Sequence, residues 1–359
     1  MAADSTSYAP RVVRIPFTAA LLCLALGTPG CLAPPEVRPL SIREDVALLE
    51  APHGAPGGFF LPWLDPSRRS FGALRWALTR NDWDKSRTPE LPVVANDGSV
   101  LTAHHASAKV TWVGHATFAV RDEDDVFLTD PHFGDRALGV SRKTPPGIPL
   151  SAVPAHAFAV LSHNHYDHLD AWTVERLPEG LAWYVPLGMA AWFRERGVRE
   201  VVELDWWQSA RRGRFTITCL PSQHWSRRIE QGTNQALWCA WLLDSGKRRY
   251  FFAGDTGYFH GFAEFGRRFG PIDVAMLPIG AYEPRWFMQE AHMDPAEAWR
   301  TFQDLRARYL LPMHWGTFDL TDEPMDEPPR ALERAVVREG GDLERVKLLA
   351  IGETWAVPD

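Results

Sequence analysis

Ser162-His163-Asn164-His165-Tyr166-Asp167-His168-Leu169 follows directly on the apolar run 157–161. Four potential metal ligands within six positions, His163, His165, Asp167 and His168, cannot all turn into one core, whereas an irregular turn leaving a strand can aim them at a single point. A lone histidine there would read as part of a polar, solvated loop; a cluster of this density does not. Imidazole together with carboxylate suits zinc, and a carboxylate among several histidines leaves an open coordination position for water. The ligand types admit iron or manganese as well.

Two tetrahedral ions need more donors than one loop supplies, and other strand ends offer them. His224 follows the run 215–220 in Pro221-Ser222-Gln223-His224-Trp225. Asp255 follows Tyr250-Phe251-Phe252-Ala253, where Gly254 and Gly257 permit a tight turn. His314 follows Leu310-Leu311-Pro312-Met313. Each of these alone would pass for a turn cap; in this order behind the first motif they are expected to complete the ligand set. Asp130 closes Leu128-Thr129-Asp130-Pro131. It either caps the turn before Pro131 or accepts the second ring N–H of a ligating histidine and fixes its tautomer. His115, in Gly114-His115-Ala116-Thr117, is expected to support the site rather than to ligate.

Short apolar runs divided by turn residues predict strands over 109–113, 117–120, 126–129, 157–162, 215–220, 236–243, 249–253, 274–278 and 310–313. Helical patterns at 171–177, 187–196, 261–269, 295–306 and 330–339 lie between some of them, which implies an α/β layered domain. The helix at 295 has a legible start: Asp294 caps it, Pro295 suits its first position and Glu297 supplies the carboxylate of a capping box. His292 therefore falls on the loop just before a helix N-terminus.

With 359 residues, 45% hydrophobic and 23% charged, the chain can bury a sizeable core without disulfide staples. Its formal charge of -7 argues against a nucleic-acid partner, since phosphate backbones call for a basic face and only a local spot, Arg227-Arg228, is present. Arg11 and Arg14 precede an apolar run over 15–26 that is short for a bilayer span and has the charge order of an export signal. The run ends in Gly27-Thr28-Pro29-Gly30-Cys31, and a small residue before cysteine resembles a bacterial lipoprotein cleavage site. The expectation is an envelope protein lipid-anchored through Cys31, with a cytoplasmic or peripheral membrane location as the alternative. Three segments follow: a signal-like 1–31, a linker and extension over 32–105, its first part a Pro- and Gly-rich surface linker, and the α/β domain with the metal-ligand motifs over 106–359. Cys219 and Cys239, in apolar strand contexts, read as buried small hydrophobes.

The sequence resembles the metallo-β-lactamase superfamily and, within it, hydrolases similar to N-acylphosphatidylethanolamine-hydrolysing phospholipase D. The resemblance covers about 60–327 and is anchored by Trp112 to Thr117, Leu128 to Pro131, Pro221 to Trp225, Phe252 to Tyr258 and His314 to Phe318. Its most specific stretch is Pro278-Ile279-Gly280-Ala281-Tyr282-Glu283-Pro284-Arg285-Trp286-Phe287-Met288, followed by His292-Met293-Asp294-Pro295. That resemblance implies a four-layer αββα sandwich. It also implies two zinc sites, His163, His165 and His224 on one ion and Asp167, His168 and His314 on the other, with Asp255 bridging. Two cations roughly 3.5–4 Å apart would ionise a shared water near pH ~7 and fix a hydroxide nucleophile. Asp167 and His292 are the expected catalytic residues, His292 serving the leaving alkoxide or the phosphate. Tyr282, Arg285 and His292 are expected to line the substrate pocket, and Trp63, Trp76 and Trp286 to be available to acyl chains.

The function that follows is a phosphodiesterase cleaving N-acylphosphatidylethanolamine-like phospholipids at a membrane surface, with dimerisation suggested by the resemblance. One alternative on the same fold is a lactonase or other ester or amide hydrolase. A β-lactamase fits less well because no cysteine stands where the ligands fall, and a nuclease lacks the basic surface. Another class altogether is a non-catalytic, metal-bearing envelope lipoprotein.

Overall fold

Uninterrupted apolar runs make strands covered on both faces, and two such sheets lie against each other here. The computed structural model describes residues 37, 39–65, 76, 89–103 and 107–359; the signal-like segment with Arg11, Arg14 and Cys31 lies outside them. The strands are β1 (Lys109–Gly114), β2 (Thr117–Asp122), β3 (Asp125–Thr129), β4 (Phe158–Val160), β5 (Ala182–Pro186), β6 (Val201–Leu204), β7 (Ser209–Arg212), β8 (Phe215–Leu220), β9 (Ala240–Asp244), β10 (Arg249–Phe252), β11 (Ile272–Pro278), β12 (Ala307–Met313) and β13 (Thr354–Ala356). A seven-stranded sheet has the order β6-β5-β4-β3-β2-β1-β13, and a six-stranded sheet the order β7-β8-β9-β10-β11-β12. Short two-residue ribbons, among them Arg227–Arg228 with Gly232–Thr233, decorate the loops.

Alternation along each strand sorts the layers. On β3, Phe127 turns inward and meets Phe158, Phe215 and Tyr250 at ring separations of 5.6, 5.7 and 5.3 Å. Its neighbours Val126 and Leu128 face the other way, where Val174 and Leu177 near α1 (Ala171–Val174) and Trp192 and Phe193 of α2 (Ala190–Arg194) cover them. On β10, Phe251 faces Phe262 and Phe265 of α3 (Gly261–Phe269). After α4 (Arg285–Met288), the helices α5 (Pro295–Asp304) and α6 (Glu327–Arg338) complete that outer layer with Trp299, Phe302, Leu332 and Val336. The result is the expected α/β sandwich of four layers. Among the described residues no helix is long and apolar enough to cross a membrane.

Several expectations shift at their edges. The run 236–243 enters the sheet only at Ala240, because Leu237 N–H goes to the Leu187 carbonyl and Cys239 N–H to the Ser162 carbonyl instead of a ladder. The last helix starts three residues early, at Glu327, with prolines in its first turn where their missing N–H costs nothing. Strands β5, β6, β7 and β13 and helix α4 were not predicted; β5 is apolar throughout and gives no alternation to read. The stretch expected as a surface linker is in part core, since Leu49 is fully buried; beyond it, in the extension, Trp63 is fully buried as well and stacks on Phe259 at 5.0 Å. Trp63 is therefore not available to an acyl chain, having found a partner in the sandwich.

Candidate metal centre

Every predicted ligand sits just beyond the C-terminal end of a strand, and all of these ends open on the same edge of the sandwich. His163 to His168 leave β4, Asp130 leaves β3, His224 follows β8, Asp255 follows β10 and His314 follows β12. His115 occupies the tight turn between β1 and β2. Three of these residues hold left-handed backbone, His115 at φ 51°, Asp130 at φ 31° and His314 at φ 64°. Such conformations are costly away from glycine and gather where side chains must be aimed. Gly254, at φ 58°, is needed for a second reason: a Cβ there would stand 2.4 Å from the Ser162 Cβ, where the Asp255 turn crosses the histidine loop.

The structure brings all seven expected ligands together. His163 Nε2 and His224 Nε2 lie 2.9 and 3.2 Å from His165 Nδ1. Asp167 Oδ2 lies 3.6 Å from His168 Nε2 and 3.4 Å from His314 Nε2. Asp255 stands between the two groups, with Oδ2 3.9 Å from His163 Nε2 and from His224 Nε2 and 3.1 Å from His168 Nε2, while Oδ1 is 3.1 Å from His314 Nε2. Donors bonded tetrahedrally at about 2.0–2.1 Å would be separated by roughly 3.3 Å, so these separations are those of atoms able to share a cation. His168 Nε2, His314 Nε2 and Asp255 Oδ1 are buried without a hydrogen-bond partner. Since buried polar atoms are nearly always paired, the residues present fit bound metal.

The outer contacts fix which nitrogen faces inward. His168 Nδ1–H donates to Asp130 Oδ2 at 2.6 Å. The Ser162 hydroxyl donates to the same oxygen at 2.5 Å and faces His163 Nδ1 at 2.9 Å, so Asp130 orients a second histidine through Ser162. Ser162 N–H holds the other Asp130 oxygen at 2.6 Å. His224 Nδ1–H donates to the Ala291 carbonyl at 2.9 Å. His115 Nε2 meets Asp167 Oδ2 at 3.0 Å and anchors that carboxylate. For His168, His163 and His224 the nitrogen that takes no such contact is the one aimed at the centre.

Electrostatics follow from burial. Loss of water pushes His163 and His224 well below the ordinary imidazole value and brings His165 and His292 to about 4 and His115 to about 3, so these rings are neutral donors. Burial acts the same way on His168 and His314, but the facing carboxylates of Asp255 and Asp167 outweigh it. His168 is raised well above its usual range and His314 to about 9. Asp255 and Asp167 are held well below theirs by the same histidines, against the pull of burial. The carboxylates demand positive charge, which protons on these two rings supply when no metal does.

Other expected site residues are placed differently. His292 belongs to the cluster, its Nδ1 unpartnered and 3.9 Å from Asp255 Oδ2. Arg285 donates to the His292 carbonyl and to Glu297 Oε2, both at 2.8 Å, bracing the loop that carries His292. Tyr282 is buried at 8% exposure, and burial beside Glu323 pushes its phenol up. Trp76 Nε1–H donates to Asp322, and its ring stacks on Phe287 at 5.5 Å. Two supports went unpredicted: Gln223, whose Oε1 accepts from Trp63 at 3.1 Å beside His224, and His132, fully buried near Asp170. The sequence carried one signal for the first, the tryptophan-rich extension ahead of the domain.

Strand-end histidines and aspartates around a shared centre on a two-sheet sandwich define a metal-dependent hydrolase of the metallo-β-lactamase fold. A beta-lactamase superfamily domain profile matches residues 126–315, and the chain belongs to that superfamily. It is 38% identical to the N-acyl-phosphatidylethanolamine-hydrolyzing phospholipase D 1 of Caenorhabditis elegans over 69% of this chain and 76% of that protein. An uncharacterised protein of Mycobacterium tuberculosis is 34% identical over 85% of this chain and 84% of its own length. Among solved structures, the metallo hydrolase Igni18 of Ignicoccus hospitalis shares the fold at a TM-score of 0.54 and 22% identity, over 70% of this chain and 98% of that one. So does CmlA, a diiron β-hydroxylase of Streptomyces venezuelae, at a TM-score of 0.51 and 20% identity, over 70% of this chain and 54% of that one.

Proposed function

We propose that this protein is a two-zinc phosphodiesterase of the phospholipase D type, acting on N-acylphosphatidylethanolamine-like phospholipids at a lipid surface. The observation that carries the reading is Asp255, whose two oxygens face the donors of both groups at 3.1 to 3.9 Å, the placement a bridging carboxylate requires. The lipid substrate comes from the relatives, of which the nematode protein is named for that reaction. Bound divalent cations would supply an ionised water at neutral pH and neutralise charge growing on phosphoryl oxygens.

The chain's own residues do the rest. His163, His165 and His224 hold one position and Asp167, His168 and His314 the other, while Asp130, Ser162 and His115 lock their orientations. His292 is neutral, and its Nδ1 stands beside Asp255 with no protein partner. In this reading it would hold the phosphate through a ring N–H, or take up a proton from the attacking water and return it to the leaving oxygen. Arg285 serves that role indirectly by fixing the His292 carbonyl. Leu138, Trp172 and Ile229, exposed at 62, 45 and 81%, stand on segments bonded to the histidine loop or its following helix and offer apolar contact with a bilayer. An anchor at Cys31 would keep the enzyme at the bacterial envelope.

Incubation of purified, zinc-loaded protein with vesicles containing N-acylphosphatidylethanolamine, read by mass spectrometry, tests the reading. N-acylethanolamine and phosphatidate should appear with wild type and vanish with Asp167→Asn. Intact lipid beside opened lactones would replace the phosphodiesterase with a carbonyl hydrolase. Metal uptake without turnover of either would make the protein a metal-bearing envelope component.

A further inference from the structure

The histidine loop has few backbone bonds of its own. His168 N–H and Leu169 N–H both return to the His165 carbonyl, and most of the remaining contacts come from side chains. One element outside the ligand set clamps it: the ribbon Arg227–Arg228 with Gly232–Thr233, which begins three residues after His224. Arg228 is only 4% exposed, rare for an arginine. Its Nη1–H groups reach the Leu169 carbonyl at 2.8 Å and the Asn164 carbonyl at 3.3 Å, gripping the loop at both ends. The guanidinium lies near the rings of Tyr166, 4.2 Å from its centroid, and Trp192, 5.0 Å from its centroid. Glu230 completes the cage, accepting Arg228 Nε–H at 2.7 Å and Trp192 Nε1–H at 3.0 Å, and stays ionised down to about 2, bonds to Trp192 and Arg228 outweighing its burial. Asn164 donates to Gln231 at 3.0 Å, and Ile229 N–H to the Tyr166 hydroxyl at 3.1 Å.

We infer that Arg228 is a positioning residue of the metal centre: it touches no ligand atom, and it sets the loop that presents His163, His165, Asp167 and His168. A planar fork can satisfy two carbonyls while stacked on aromatic faces, which an ammonium cannot do. The same segment thus ligates through His224 and clamps through Arg228, so His224 is registered against the four donors of the histidine loop by a short piece of chain. This inference rests on the metal reading of the site, so its test uses metal binding itself.

Full-length wild type, Arg228→Lys, Arg228→Ala and the exposed neighbour Arg227→Lys are titrated with Co(II) against a competing chelator, and the visible d–d bands are recorded. Misorientation of metal ligands typically weakens affinity by about 10–100-fold, and Arg228 orients them through the Asn164 and Leu169 carbonyls. That weakening and altered bands are expected for Arg228→Lys, more so for Arg228→Ala, with partial restoration in Arg228→Ala by millimolar guanidinium; Arg227→Lys should match wild type. If Arg228→Ala does not fold, Arg228→Lys alone decides. Wild-type affinity and spectrum in Arg228→Lys would overturn the role assigned to Arg228. Absence of Co(II) uptake by wild type would instead overturn the metal reading on which it stands.

Discussion

The two ends of the sandwich each bury a carboxylate, and they neutralise it in different ways. At the end away from the histidine loop, Asp122 closes β2 fully buried, accepts the Tyr250 hydroxyl at 3.0 Å and faces Arg214 at 3.3 Å and Arg248 at 3.5 Å. At the other end Asp255 is as deeply buried, and its facing groups are His168, His314, His163 and His224. Arginine is a permanent cation, so the Asp122 cluster is closed and needs nothing from solution. Histidine is not, and with several rings kept neutral by burial the Asp255 cluster is left to recruit charge from outside. A buried acid among arginines is architecture; the same acid among inward-facing imidazoles is a binding site.

Replacing the bridging group should give the largest effect. Asp255→Ala is expected to lose metal from both positions, measured as bound metal per chain, and turnover by on the order of 10²–10³-fold, as when a preorganised charge-stabilising group is removed; full metal content in this variant would dissolve the contrast between the two ends. Asp122→Ala attacks the closed cluster and should cost about 1–3 kcal/mol, since it leaves the buried Tyr250 hydroxyl without its acceptor. Urea unfolding reads that loss, and metal content per folded chain should not change. Asp130→Asn removes no ligand and should weaken Co(II) affinity by about 10–100-fold through misorientation of His168 and His163; unchanged affinity would mean that the Asp130 contact follows the site rather than shaping it.

Acidity gives the smallest and most diagnostic change. His314 is raised from an ordinary value of 6.5 to about 9, and His168 is raised as well. Their contribution to the metal-free protein is fully present below about 6.5, the unfolded value, and lost as pH rises through the folded one. Chelated protein should therefore lose thermal stability from pH 6.5 toward 9, while metal-loaded protein, whose cations replace those protons, should not. Parallel curves for the two forms would show that protons and metal do not compete for these rings.

Much of the site was legible because metal ligation restricts residue type and strand ends restrict position. His163, His165, Asp167, His168, His224, Asp255 and His314 all declare themselves as polar donors breaking off apolar runs. Asp130 could be placed beside a ligand because it too ends a strand, although nothing in its neighbours says that it would govern two histidines through Ser162. For Arg285 nothing in the local sequence signals a brace, and only the Glu297 and His292 contacts reveal that role. Arg228 shows the converse, a surface-type residue whose burial depends on Tyr166 and Trp192, both distant in sequence.

The amino-acid order by itself determined the chemistry on offer: which donors exist, that they follow strands, and that an α/β sandwich would carry them. Tertiary structure alone decided that donors from four separate turns meet within reach of one another, which nitrogen of each ring faces inward, and that the tryptophan of the extension belongs to the core. The reason is physical. Residue type and hydrophobic period are local properties, whereas coordination geometry and burial arise only when segments far apart in the chain are pressed together.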